Sequence, residues 1–430
     1  MISYKFHFIG IGGVSMSALA QLLFEKGYYV QGSDRHISSN VKILTKRGVN
    51  VFIGHDKNNV GDCNIIVYNY AIQDNNPELV FAKENNLMIM SRAELLGIFA
   101  SNYKNVIAIS GAHGKTTTTA MISEIFLEAK LNPTIHMGGI LNKINNNCLL
   151  GDDRLFITEA CEYKDSFLSL KSSVGVILNI ANEHLDYFKN FDNIKKSFGK
   201  FASNSEIAIC ENSLKIDNSI TFGVGGRYKA GNIVFGKKYT RFEVLKDGAK
   251  YFNVMLKAYG RHNVNNALAS IAVADIFNID KKVIKRALRN FGGVKRRFEV
   301  IKNSPFIIHD YAHHPDEIKS VIKSLKEIYK GKITVVFQPH TYTRTKKLMS
   351  EFVESLSLAD RVLIYKTYSA REKYDKRGSA RYLYDKLNVA GVKSKYYLSM
   401  KTLASDIKYK KGCTLVLGAG NIEKICKYLK

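Results

Sequence analysis

Apolar residues in this chain gather in short runs, some holding one or two polar residues, most of them followed by glycine or polar residues and then by a stretch of helical periodicity. A first series falls at residues 4–9, 65–68 and 88–90, with an amphipathic stretch at 14–26 and a further strand ending over 30–34. A second series opens at 106 and continues at 155–158 and 174–178, and a third occupies 306–309, 333–337, 362–365 and 414–417. Short apolar runs bounded by turn residues predict strands buried on both faces. Their alternation with helices predicts mainly parallel sheets with ligand sites at the carboxyl ends of the strands. A chain of 430 residues exceeds what one core usually supports. The expected architecture is α/β in three parts, 1–103, 104–298 and 299–430, with no internal repeat or low-complexity linker.

Two of the strand-to-helix turns carry candidate chemistry. Gly10, Gly12 and Gly13 follow the strand at 4–9, and Asp34 ends the next strand, near the ~20-residue offset at which dinucleotide-binding folds hold an acid. The third glycine of that fingerprint is replaced by Ser15, so the turn by itself argues only for a diphosphate on the helix that follows. The second turn is sharper. Residues 106–119 read VIAISGAHGKTTTT, in which Gly111, Ala112, His113, Gly114, Lys115, Thr116 and Thr117 form a phosphate cradle. Glycines there let backbone N–H groups face a phosphate, Lys115 reaches its β and γ oxygens, and the Thr116 hydroxyl suits Mg²⁺. Ile109 stands where the general phosphate-loop pattern has its first glycine, and the loop is shorter. The bland alternative is an ordinary capped turn, which has no need of a lysine at that place.

The formal net charge of +26 raises nucleic acid as a partner. The basic residues are spread along the chain, with no long basic run and no recognised nucleic-acid signature. Polyanionic small substrates, together with a bias toward Lys, Asn, Ile and Tyr, account for the charge without nucleic acid. The six cysteines are scattered with no C-x-x-C pair, which argues against a disulfide framework and a zinc site. No apolar stretch approaches a membrane span and no cleavable signal precedes the first strand, so a cytoplasmic protein without membrane insertion is expected.

Polar residues recur where strands end. Glu159 and His184 fall at the carboxyl edge of the sheet that carries Lys115, where a carboxylate and an imidazole suit a divalent ion beside a transferring phosphoryl group. His262 and Asn266 open an apolar helix at a spacing that suits an adenine edge or a helix cap. Asp310 and His313, then His340 and Arg344, then Arg371, stand at three successive strand exits.

Taken together, GIGG at 10–13, GAHGKTTT at 111–118, EACE at 159–162, His184, GRHN at 260–263, RRFE at 296–299, DYAHHP at 310–315 and QPHTYTRT at 338–345 resemble the Mur ligases, in that family's motif order and over nearly the whole chain. The resemblance implies a Rossmann-like N-terminal domain that takes a UDP-sugar at Gly10, Gly12, Gly13 and Asp34, a central phosphate-loop ATP-binding α/β domain, and a C-terminal Rossmann-like α/β domain. It implies ATP-dependent amide formation between the lactyl carboxylate of UDP-N-acetylmuramate and the amine of L-alanine. A sister activity, joining a preformed tripeptide to the same UDP-sugar, shares most of the motifs; the alternative from another class, an NAD-dependent oxidoreductase, explains the first glycine turn but leaves GAHGKTTT and the strand-exit clusters without purpose. By the same carry-over Thr116, Glu159 and His184 hold Mg²⁺, and His262 and Asn266 meet adenine. Lys115, His184, His340 and Arg344 serve catalysis, and Asp310, His313 and Arg371 help close the site or orient the amine. The expected assembly is a monomer or a homodimer. The chain departs from the family pattern at Cys161 and Tyr163, which flank Glu162 in EACEY, at Glu183 and at Thr341.

Overall fold

A computed structural model describes residues 4–236, 238–370, 372–408 and 412–429. Among these residues the strands form three sheets. The first comprises β1 (Lys5–Ile9), β2 (Tyr29–Asp34), β3 (Asn50–Ile53), β4 (Ile65–Tyr68) and β5 (Met88–Ser91). All its pairings are parallel, in the order β3-β2-β1-β4-β5. Strand order reverses at β1, which puts the Gly10 turn at the switch point, where α/β sheets bind ligands.

The second sheet is built from β6 (Asn105–Ser110), β7 (Thr134–Leu141), β8 (Asn146–Leu149), β9 (Leu155–Glu159), β10 (Ser172–Ile177), β11 (Ser205–Glu211), β12 (Ile220–Phe222), β13 (Tyr228–Phe235), β14 (Thr240–Lys246) and β15 (Ala249–Leu256). Its order is β15-β14-β13-β12-β11-β10-β6-β9-β7-β8, so β6 runs between β10 and β9 and delivers the phosphate loop to the middle of the sheet. The third sheet holds β16 (Glu299–Asn303), β17 (Phe306–Asp310), β18 (Ile333–Phe337), β19 (Arg361–Tyr365), β20 (Ser394–Tyr397) and β21 (Cys413–Leu417), in the order β16-β17-β21-β18-β19-β20. Its edge strand β16 pairs antiparallel with β17, as β8 does with β7 in the second sheet.

The apolar runs became central strands because both of their faces are covered. Phe8, Ile9, Ile107, Ile109, Val335, Val336, Leu415 and Val416 have essentially no exposed surface. The strands β12 to β15 were not among the expected elements; β14 alternates buried with part-exposed positions, a weaker pattern than an unbroken run.

By its packing the chain forms two compact units. One comprises Met1–Asn232, Phe242–Met255 and Asn265–Gly292, and the other Ile233–Arg241, Leu256–Val264 and Gly293–Lys430. Within the first unit, one apolar cluster runs through Phe6, Leu19, Phe99, Phe156 and Phe198, so the first sheet and the central part of the second share a core. In the other unit the third sheet is covered on one face by Ile318, Ile322 and Phe352 and on the other by Leu403, Ile407 and Ile422. No helix among the described residues is long and apolar enough to cross a membrane.

Candidate active site

In the first unit the phosphate loop is shaped by glycine and held by one asparagine. Gly111 (φ +139°) and Gly114 (φ +90°) take backbone conformations that disfavour other residues, and Gly114 caps the helix Lys115–Glu128. A Cβ on Gly114 would stand 2.8 Å from Asn266 Oδ1, which places that asparagine against the loop. Asn179, at the end of β10, holds the loop in both directions. Its Oδ1 accepts from His113 N at 2.8 Å, its Nδ2 donates to His113 O at 2.8 Å, and its backbone carbonyl accepts from Ala112 N.

Lys115 Nζ donates to Glu162 at 2.9 and 3.1 Å and to the carbonyls of Gly111 and Ala112. Burial is the largest influence and works to lower its pKa, but Glu162, by charge and hydrogen bond, together with Cys161 and Glu159, outweighs it and holds the ammonium above its ordinary value. Thr116 Oγ1 donates to Glu159 Oε2 at 3.1 Å, and Glu159 Oε1 also accepts from Gly138 N. Thr117 lies in the first turn of the same helix.

The predicted metal set divides in two. Thr116 and Glu159 are together, whereas His184 groups with Glu162 and Glu183, their donor atoms all within 4.8 Å of one another. His184 Nε2 stands 3.8 Å from Glu162 Oε1, and its ring lies 4.8 Å from that of Tyr163. Carboxylates, a hydroxyl and an imidazole gathered beside a phosphate loop are a donor set that fits a hard divalent cation.

The first glycine turn is equally constrained. Gly10 N and Ile11 N donate to Ser33 O, and Asn40 Nδ2 donates to Gly12 O. A Cβ on Gly12 would fall within 3 Å of Asp34, Ser38 and Val41. Asp34 also helps to hold this turn. Its Oδ2 accepts from Gly12 N at 2.9 Å and its Oδ1 from His36 N at 3.2 Å, so the carboxylate is engaged in shaping the turn. Gly13, by contrast, is exposed at the head of the helix Val14–Glu25.

In the second unit the strand exits gather imidazole and guanidinium. Asp310 ends β17 buried, with its oxygens accepting from Phe298 N and Ala312 N at 2.7 Å each. It therefore holds the chain on either side of the strand. Burial raises its pKa to about 6, against Arg297 and those two hydrogen bonds. His313 and His340 meet edge to face, with centroids 5.8 Å apart, and His340 stacks on Tyr368 at 5.4 Å. Burial holds both imidazoles below their ordinary pKa, and the Arg344 cation adds to the effect.

His340 Nδ1 and Arg344 Nη1 are buried without a hydrogen-bond partner among the described residues. His314 instead caps the helix Pro315–Ile328 in a box with Glu317. The exposed His262 pairs its Nδ1 with Ser324 Oγ at 3.2 Å. Arg371 lies outside the described residues.

Sequence reasoning left out several residues that the structure puts in these places. Nothing in the sequence assigns Asn179 a role, and there Glu162 enters only as part of the EACE motif and Glu183 only as a departure from the family pattern. Arg296 Nη2 donates to the carbonyls of Gly418 and Gly420, and Glu372 accepts from Tyr342 N and Thr343 N. The available signal was each residue's position beside a strand exit.

Comparison with known proteins places most of the chain in one family. Residues 5–104 match the model of the Mur ligase family, catalytic domain, residues 109–274 that of the Mur ligase middle domain, and residues 296–421 that of the Mur ligase, glutamate ligase domain. The chain belongs to the Mur ligase family. It is 43% identical to the UDP-N-acetylmuramate–L-alanine ligase of Clostridium acetobutylicum, over 99% of this chain and 97% of that one. The crystal structure of the UDP-N-acetylmuramate–alanine ligase MurC of Thermotoga maritima superposes with a TM-score of 0.87 at 30% identity, covering 99% of this chain and 98% of that one. A murein peptide ligase of Psychrobacter arcticus shares the fold, with a TM-score of 0.71 at 22% identity and coverage of 99% and 98%.

Proposed function

We propose that the chain joins L-alanine to the lactyl carboxylate of UDP-N-acetylmuramate, consuming ATP and giving UDP-N-acetylmuramoyl-L-alanine, ADP and phosphate. The observation that carries this reading is the full-length likeness to ligases of that name at 43% identity, with the phosphate loop intact. A carboxylate is a poor acyl donor, so a lactyl oxygen first attacks the γ-phosphorus of ATP and ADP leaves. The amine nitrogen then attacks the acyl carbon of the acyl phosphate, a tetrahedral intermediate forms, and phosphate departs as the amide forms.

The loop's backbone N–H groups and Lys115 hold the phosphates and offset the charge that develops on them. Thr116 and Glu159, with His184 as a further donor, are the residues that would hold Mg²⁺, which when bound supplies charge neutralisation at the γ-phosphoryl oxygens. Asn266, beside Gly114, and His262 are assigned to adenine, and Gly10, Gly12, Gly13 and Asp34 to the UDP-sugar. From the second unit, His340 and Arg344 are assigned to the acyl phosphate and the alanine, with His313 orienting the amine and Asp310 acting through the backbone it holds. Domain limits at 103 and 298 and a cytoplasmic location belong to the same reading.

The test is product mass. Purified protein with ATP, Mg²⁺ and UDP-N-acetylmuramate should give the L-alanyl amide when L-alanine is the amine. Amide formed with tripeptide alone would assign the chain to recycling, and no amide with either would overturn the proposal.

A further inference from the structure

A buried imidazole outside the phosphate loop joins the first glycine turn to the strand end that carries Glu159. His136 lies in β7, which pairs with β9, and is 2% exposed. Its Nε2 stands 2.9 Å from Ser15 Oγ and its Nδ1 2.9 Å from Thr158 Oγ1. The far end of this chain of contacts fixes its direction. The Thr158 hydroxyl donates to the Glu159 carbonyl at 3.1 Å, so its oxygen accepts from His136 and the ring proton sits on Nδ1. Nε2 is then the acceptor, and the Ser15 hydroxyl donates to it.

Ser15 Oγ in turn accepts from Arg92 Nη1 at 3.2 Å. Each hydroxyl proton is used once, and a single tautomer satisfies the whole series from Arg92 through Ser15, His136 and Thr158 to the Glu159 carbonyl. Burial lowers the His136 pKa to about 3, with the Arg92 cation as the second cause, so the ring stays neutral at working pH. Ser15 occupies the third-glycine position of the fingerprint, where the turn itself calls for no side chain.

We infer that His136 is a positioning residue: as the neutral Nδ1–H tautomer it fixes Ser15, and through Ser15 the Arg92 guanidinium, in register with the strand end that bears Glu159. The guanidinium so placed stands beside a turn that receives a diphosphate, an inference that rests on the proposed UDP-sugar reading of that turn. His136 touches no substrate and acts through Ser15 and Thr158.

The experiment has two arms. In ¹⁵N-histidine spectra of the whole chain, the resonance lost in His136→Asn should carry the neutral Nδ1–H pattern and stay constant across neutral pH. In kinetics, Ser15→Gly and His136→Asn should each raise the KM for UDP-N-acetylmuramate roughly three- to tenfold, the size of one lost hydrogen bond. The KM for L-alanine should be unchanged, and the double variant should be no worse than the poorer single one.

An Nε2–H or titrating ring overturns the inference, as does an additive double variant, or an unchanged UDP-sugar KM with only a lowered thermal midpoint. The spectra read the tautomer whether or not the enzyme is a ligase. A wild type that makes no amide would therefore count against the proposed function and leave this arm standing.

Discussion

The phosphate loop and the His340–Arg344 cluster handle their polar groups in opposite ways. In the loop, Lys115 is engaged by Glu162, Thr116 by Glu159, and the His113 backbone by both ends of the Asn179 amide. At the strand exits of the third sheet, His340 Nδ1 and Arg344 Nη1 are buried without hydrogen-bond partners among the described residues. A buried donor without a partner costs free energy, and it persists where something other than folding needs it. Lys115, Thr116 and the His113 backbone are thus preorganised by contacts within the protein, although the Ser110, Thr118 and Thr119 hydroxyls beside them are buried without partners among the described residues. His340 and Arg344, by contrast, keep capacity for a ligand. Removing a group from the first should cost both stability and activity. Removing one from the second should cost activity alone.

Lys115→Ala should have the largest effect, lowering kcat by on the order of 10³ as the phosphates lose their cation. It should also reduce stability, because Glu162 keeps its burial and loses its partner. Turnover near wild type would remove the loop from the mechanism. Arg344→Ala is expected to lower kcat by roughly 10² while the thermal midpoint holds or rises. A clear loss of stability there would erase the contrast between the two regions.

Asn179→Ala should destabilise the protein by about 1–3 kcal/mol, measured by denaturant unfolding, and raise the KM for ATP. An unchanged midpoint would show that the loop holds itself.

The smallest effect is a pH dependence at Asp310. Its folded pKa is raised to about 6, so the folded state favours the neutral acid. Its contribution to stability is complete below the ordinary carboxylate pKa and is lost as pH rises through about 6. Wild type minus Asp310→Asn should therefore lose stability across that window, and a gain would contradict the burial argument.

Much of the fold was legible because strands buried on both faces must be apolar throughout, as at 107–109 and 335–337. The two glycine turns were legible for a related reason: Gly12 and Gly114 leave no room for a Cβ. Asn179 was not, since it meets His113 across 66 positions and nothing in its neighbourhood marks it. Glu162 was visible as a residue but not as the partner of Lys115, a pairing set by how β9 lies beside β6. Asp34 and Asp310 were legible as strand-end acids, but the backbone contacts they make were not. Each stands at a strand end as a ligand-binding acid would, yet each has both oxygens on backbone N–H groups. Charge at a strand exit marks the neighbourhood of a site, and the hydrogen-bond partners decide whether the group is available to it.

The central claim is that the phosphate loop activates a carboxylate for attack by L-alanine. Its most direct test uses UDP-N-acetylmuramate carrying ¹⁸O in the lactyl carboxylate, incubated with the protein, ATP, Mg²⁺ and L-alanine. The account predicts that one ¹⁸O passes into the phosphate released with each amide formed, because that oxygen bridges carbon and phosphorus in the acyl phosphate. Amide formation with no ¹⁸O in the phosphate would contradict it.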